Sequence, residues 1–359
     1  MNQTTDAPFA IAASPQMAEL LYRLKCTVTL STYQAGKLIF LSAVNDNSLV
    51  QLPRNFKKPM GIALHKDKLA LATAEEVTVF NSSPDLARSY PIAPDTYDEL
   101  YLPRTTYHTG AIDLHDLEFG TDAIFAVNTL FSSIVKIDDN FSFTPWWTPP
   151  FISKADADDR CHLNGMAMLD GKPKYATAFS TTDAPRGWRE RITETGVLMD
   201  VEKNEILIEG LAMPHSPRIY RNELYVLQSA TGELVKVNTA TRSIEVIKKF
   251  QGFVRGLDFI ADYAFISFSK LRKKSSTFSH LPFAEMADRA GFVILHLPTK
   301  AIVAEAWYKT SVDEIYDLRI MPHCMRPNIL SLEKPESRRA LHLPHTTYWR
   351  KENPDDKPK

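Results

Sequence analysis

A chain of 359 residues with 44% hydrophobic content can bury a sizeable core and is not globally disordered. Its 42 basic and 43 acidic residues leave a formal net charge of −1, so it has no field to steer it onto nucleic acid or an anionic membrane. No apolar run approaches the length of a membrane span, and residues 1–13 lack the basic and apolar segments of a signal peptide. Cys26, Cys161 and Cys324 are too few and too widely spaced for a disulfide framework. The expectation is a soluble, cytoplasmic protein with neither a nucleic-acid nor a membrane partner.

Residues 1–25 form an N-terminal extension with one short helix. Ser14 is the expected N-cap, Pro15 is tolerated at the first helical position, and Met17, Leu20, Leu21 and Leu24 share a face. Three strand candidates follow, at 27–33, 37–44 and 48–52. A pattern of a small or polar residue followed by apolar, any, apolar then recurs. It starts at Gly61, Asp116, Gly165, Pro217, Gly256 and Asp317, at intervals near fifty residues, the range of propeller blades. The first five of these anchors each open four strand candidates, of which 88–92 in the first block is weak. Turn residues such as Asp170-Gly171, Arg221-Asn222 and Thr231-Gly232 punctuate them. After Asp317 only one strand remains, while the three N-terminal strands have no inner strand of their own. One plus three makes a last blade that both termini close.

The fold class is therefore all-β: a six-bladed β-propeller of four-stranded antiparallel blades spanning 26–330. A seventh, N-terminal blade is the alternative. Beyond Leu330 the chain turns rich in Pro, Lys and Glu, and 331–359 reads as a C-terminal tail, disordered at 353–359.

In such a blade the loop entering the first strand and the loop joining strands two and three open on the same end of the ring. Long connections at 93–112, 148–162, 184–194, 270–290 and 309–314 would all lie there, where function usually sits. Residues just before the inner strands would ring the channel mouth. Among them are His115, His162, His215, Arg255 and Glu314. Three imidazoles from separate blades could bind one divalent metal ion with an open position. Glu314 could serve as a fourth ligand or a general base, and Arg255 could pair a substrate anion. The bland reading is that these are polar residues lining a wet channel.

Asn128, Asn164 and Arg218 on the same motifs are candidate substrate-binding residues, joined by Trp188 and Arg189 on an insertion expected to act as a lid. Trp146-Trp147 could stack on a sugar or pack on an outer strand. Cys161 and His162, adjacent on a strand, would point apart and make no nucleophilic pair. No phosphate loop or dinucleotide fingerprint occurs, so no nucleotide cofactor is expected.

These motifs carry a resemblance. The blocks His115-Asp116-Leu117-Glu118-Phe119, Asn128-Thr129-Leu130-Phe131, Arg160-Cys161-His162-Leu163-Asn164-Gly165, Gly187-Trp188-Arg189, Met213-Pro214-His215-Ser216-Pro217-Arg218 and Arg255-Gly256-Leu257 resemble an uncharacterised bacterial protein family over most of the chain. More distantly, the blades resemble NHL-repeat and gluconolactonase or strictosidine-synthase-like propellers. That likeness implies a cation held in the axial channel by Glu, Asn and Asp, a ligand set this sequence replaces with His. Two functions follow. One is a metal-dependent hydrolase, lyase or isomerase acting on a small anionic ligand. The other is a non-catalytic propeller presenting its loop face to a protein or glycan partner.

Overall fold

The computed structural model describes residues 7–271, 278 and 284–351. Six antiparallel four-stranded sheets form a six-bladed β-propeller. Blade one comprises Ile62–His65, Lys68–Ala72, Glu76–Ser82 and Glu99–His108. Blade two comprises Leu114–Phe119, Ile124–Asn128, Ser133–Lys136 and Thr144–Trp147. Blade three comprises Leu163–Leu169, Lys172–Ala178, Gly196–Asp200 and Glu205–Leu211. Blade four comprises Pro214–Tyr220, Glu223–Gln228, Glu233–Asn238 and Ser243–Lys249. Blade five comprises Phe253–Ile260, Tyr263–Ser269, Ala290–His296 and Ala301–Tyr308. Blade six takes its inner strand, Asp317–Pro322, from the C-terminal side. Its other three, Cys26–Thr32, Lys37–Asn45 and Ser48–Asn55, come from the N-terminal side. The closing seam pairs Leu318 with Leu30 and Ile320 with Val28.

The recurring anchor residues have a steric cause. A Cβ on Gly61 would lie 3.0 Å from the backbone of Asp116 and Leu117. On Gly165 it would lie 2.5 Å from Pro217, and on Gly256 2.8 Å from the Leu318 nitrogen. Blades one, three and five thus use glycine where their inner strands meet those of blades two, four and six. Asp116 and Asp317 return the contact as staples to the following blade. The Met166 amide donates to Asp116 Oδ2 at 3.0 Å, and the Ile62 amide donates to Asp317 Oδ2 at 3.0 Å. Short hydroxyls add further ties between neighbouring blades. Ser31 donates to the Met60 carbonyl, Thr129 to Leu163, Ser216 to Arg255 and Ser269 to Ile315. Apolar side chains such as Val28, Leu41, Phe265 and Phe292 fill the space between blades five and six.

Two outer edges are covered by chain outside the four-stranded units. Ile11–Ala13 adds an antiparallel strand to blade five, with Ile11 opposite Tyr308. Pro327–Ile329 runs parallel to the outer strand of blade one, with Asn328 opposite Leu100. Both remove an open sheet edge.

Four local expectations are corrected. Residues 84–88 form a short helix started by Pro84, and the fourth strand of blade one is Glu99–His108. Half of the expected loop 93–112 is therefore strand, with Leu100, Tyr101 and Leu102 buried. Ser14 does not cap the first helix, Gln16–Leu24. Its Oγ accepts instead from the Glu305 amide at 3.2 Å, docking the helix onto blade five. Beyond 331 the chain forms a 3-10 turn at Pro335–Arg338 and a hairpin of Ala340–Leu343 with Thr346–Trp349. The stretch expected to be disordered, 353–359, lies outside the described residues.

Candidate functional site

His115, His162, His215, Arg255, Glu314, Trp188 and Arg189 all line one pocket of about 560 Å³ at an end of the axial channel, with Asp113, Asp159, Phe179, Phe253 and Lys270. Blade geometry accounts for the gathering. His115, His215 and Arg255 sit on inner strands, whereas His162 and Glu314 lie on connections that enter them.

Aromatic rings form a belt around the mouth. Tyr316 meets His115 at 5.3 Å between centroids, and His115 meets His162 edge-on at 5.0 Å. His162 stacks against Trp188 at 4.2 Å and Phe179 at 4.6 Å. Phe179 then touches His215 at 5.1 Å.

The best-defined chemical unit is a residue pair that sequence reasoning missed. Both carboxylate oxygens of Asp159 lie 3.1 Å from His162 Nδ1, and Trp188 Nε1 donates to Asp159 Oδ2 at 2.9 Å. An ionised carboxylate can only accept, so Nδ1 carries a proton; in the neutral ring the lone pair is then on Nε2. Asp159 and His162 both hold left-handed backbone angles, φ 47° and 53°, a conformation that Asp and His tolerate better than most side chains and that turns the loop back on itself. Arg160 secures the loop between them. Its guanidinium donates to the Asp183 carbonyl at 2.6 Å and to Asp158 at 3.1 Å. The Asp159 amide donates to the Leu130 carbonyl at 2.8 Å. The usable signal was the three-residue interval in Asp159-Arg160-Cys161-His162.

His115 and His215 differ from a solvated imidazole. Burial, the His162 ring and the Arg255 cation push His115 well below its ordinary value. Burial, then Arg255 and His162, do the same to His215. Both are therefore neutral at pH 7. His115 Nδ1 lies 3.2 Å from the Asp113 carbonyl oxygen, and His215 Nδ1 lies 3.2 Å from that of Met213 and 2.7 Å from Ser229 Oγ.

Such tethers would suit metal ligands, but the three rings do not converge. Phe179 packs against both His162 and His215. Among the described residues no group of three or more His, Cys, Asp and Glu side chains is placed to hold a metal ion. The donor geometry therefore does not fit an ion on His115, His162 and His215.

Arg255 and Glu314 form an ion pair at 2.9 Å, and the Arg255 guanidinium lies 4.1 Å from the Tyr316 ring centroid. Stacking and pairing hold that planar donor in one orientation on the pocket wall. Trp188, expected on a lid, is buried as part of the wall, with the Arg189 guanidinium 5.1 Å from its ring. Of the long connection 270–290, residues 272–277 and 279–283 lie outside the described residues.

The remaining candidates lie away from the open pocket. Asn128 is buried, and its Oδ1 accepts from the Phe131 amide at 3.1 Å, shaping the turn on which the Asp159 loop rests. Asn164 is buried below the floor and accepts from Thr177 Oγ1 at 2.7 Å. Arg218 is deeper, in a charged cluster that plugs the channel. It pairs with Asp116 at 3.0 Å, while Arg319 pairs with Asp116 at 3.1 Å, Glu118 at 2.7 Å and Asp317 at 3.3 Å. Burial works against ionisation of Asp116, but the Arg218 and Arg319 guanidiniums outweigh it and hold its carboxyl below the usual range.

Burial pushes the Cys161 thiol up to about 12, which suits an inert core cysteine. Trp146 packs edge-on against Phe125 at 5.1 Å on the outer strand of blade two, and Trp147 donates to Asn204 Oδ1 at 3.0 Å. Among the described residues no helix is long and apolar enough to cross a membrane.

Comparison with known proteins agrees with the ring. A chain from a solved structure, "Crystal structure of Nidogen/Laminin Complex", is similar with a TM-score of 0.50 at 11% identity, covering 83% of this chain and 99% of that one. At that identity the likeness shows the fold alone. No curated protein matches. A family model matches residues 15–330, from the first helix to the end of the ring, and the chain belongs to the family it describes, Domain of unknown function (DUF4915).

Proposed function

We propose that the channel mouth binds a small anionic molecule and acts on it by acid–base chemistry. In this reading His162 Nε2 is the proton acceptor, Asp159 is its positioning carboxylate and Arg255 recognises the anion. The observation that carries the reading is the Asp159–His162–Trp188 unit. Its carboxylate is held against Nδ1 with the help of an indole donor, and its imidazole packs at a tilt against two adjoining aromatic rings on the pocket wall. A base held by a third group is the arrangement that proton abstraction, or activation of water, requires. A merely structural histidine would not need its orientation fixed from three sides.

The binding-platform alternative relied on exposed aromatic loops. Trp188, the aromatic of the loop face, is buried as pocket wall, which favours a small-molecule ligand.

The test is deuterium exchange into a panel of small hydroxy and oxo carboxylic acids in D2O, followed by proton NMR. The wild type should exchange a proton of at least one member, and His162→Gln and Asp159→Asn should each abolish or sharply slow it. Exchange that persists unchanged in His162→Gln would remove His162 as the acceptor.

A further inference from the structure

Below the pocket floor lies a second, much smaller chamber of about 10 Å³. Its lining shares His115, His215 and Arg255 with the pocket above. That volume is on the order of a single water-sized group.

On the chamber wall Asn164 Nδ2 and Arg218 Nε are buried with no hydrogen-bond partner, and Tyr316 Oη, beside the Arg255 guanidinium, has no acceptor for its proton. Asn164, Arg218 and Tyr316 are only 4%, 7% and 7% exposed. Buried polar groups without partners are uncommon, and several around one void ask for an occupant. Asn164 Nδ2 and Arg218 Nε can only donate, and the Tyr316 hydroxyl can donate too.

The carboxylates nearby are already taken. Asp116 receives the Leu117 and Met166 amides and both Arg218 terminal nitrogens. Asp317 receives the Ile62 and Leu318 amides and Arg319 Nε. The occupant must therefore offer lone pairs. Arg218 and Arg255 on its wall offset the Asp116 and Asp317 carboxylates, so the unspent donors select an oxygen with lone pairs, a carboxylate oxygen included.

We propose that this chamber is the oxygen-recognition subsite of the pocket: one carboxylate oxygen of the ligand enters it and accepts from Asn164, Arg218 and Tyr316. The ligand class is then small carboxylic acids whose carboxylate leads into the channel, with the remainder facing His162. Three unspent donors around a one-atom void mark the place. The proposal rests on the small-molecule reading above and narrows its ligand. It also returns Asn164 and Arg218 to ligand recognition, from beneath the open pocket.

Formate is the smallest probe, and its binding to the full chain can be followed by titration of carbon-13 formate in NMR. Wild type should show saturable binding, and methylammonium, a cation of similar size, should not bind. Tyr316→Phe keeps the ring under Arg255 but removes the hydroxyl. Asn164→Asp keeps the shape but replaces two donors with an acceptor. Each should weaken formate by about tenfold or more, as expected when a hydrogen bond to a charged group is lost. Thermal melting checks that both variants fold. If Asn164→Asp does not, Tyr316→Phe decides alone.

Formate affinity unchanged in the folded variants, or no saturable binding in wild type, overturns the subsite. The outcome is separable from that of the acid–base reading. Formate binding that depends on Tyr316, with proton exchange indifferent to His162, would keep the subsite and sink the base. Exchange that depends on His162, with formate indifferent to Tyr316, would do the reverse.

Discussion

Asp116 and Arg218, 102 residues apart, meet in a two-point ion pair inside the channel, with NH1 3.0 Å from Oδ2 and NH2 3.2 Å from Oδ1. Blade two thereby grips blade four across the axis, and Arg319 joins the same carboxylate from blade six at 3.1 Å. The cluster closes the channel directly beneath the pocket. The site thus has a charged floor made by the ring itself.

That floor gives a stability prediction. Removing one member of a buried ion pair leaves the others uncompensated and costs about 3–5 kcal/mol. Asp116→Asn should therefore lower the urea midpoint strongly, because Arg218 loses its nearest carboxylate, Arg319 loses one of three and the Met166 staple weakens. The double change Asp116→Leu with Arg218→Met should recover part of the loss. An Asp116→Asn protein with an unaltered midpoint would show that the cluster contributes nothing to holding the blades together.

The Asp159–His162 pair can be read without knowing the ligand. Long-range proton–nitrogen NMR should find His162 with its proton on Nδ1. In Asp159→Asn that preference should weaken, and Trp188 fluorescence should shift, since the indole loses its carboxylate acceptor. A proton resident on Nε2 in the wild type would mean that Asp159 does not orient the ring.

His115 and His215 predict a pH dependence of stability. Their folded values lie well below the ordinary one, so the unfolded chain takes up protons first as pH falls. They cost nothing above about 6.5. Below that, stability drops with a slope of about 1.4 kcal/mol per pH unit for each histidine, until the folded value is reached. His215→Gln should flatten the fall between about pH 6.5 and 5, measured by denaturation midpoints at each pH. Identical slopes for the two proteins would contradict the neutral, buried assignment.

Ring closure by both ends gives a truncation series. Deleting residues 1–52 removes most of the three strands that blade six draws from the N-terminal side, and cooperative melting should disappear. Deleting residues 1–13 removes only the strand on the edge of blade five, and the ring should persist with a lower midpoint and a greater tendency to self-associate through the bared edge of Ala301–Tyr308. A cooperative melt of the larger truncation at the wild-type temperature would refute the closure.

The primary sequence was sufficient for the architecture because its period is steric. Gly61, Gly165 and Gly256 recur where inner strands nearly touch, and the strand count around Asp317 demanded a shared last blade. It also named part of the mouth, since His115, His162, His215, Arg255 and Glu314 follow from blade topology alone. Position along a strand places a residue at one end of the channel, but it does not say what its side chain meets.

Tertiary packing decided the rest. Phe179 between His162 and His215 turned three aligned histidines into an aromatic belt. Asp159, on an irregular loop with no strand period, came to orient His162 through left-handed backbone turns that no alternation pattern signals. Arg218 looked like a ligand contact and was drawn into the plug by Asp116, two blades away. Such partners are distant in sequence and are chosen by which charges share a low-dielectric space once the ring closes.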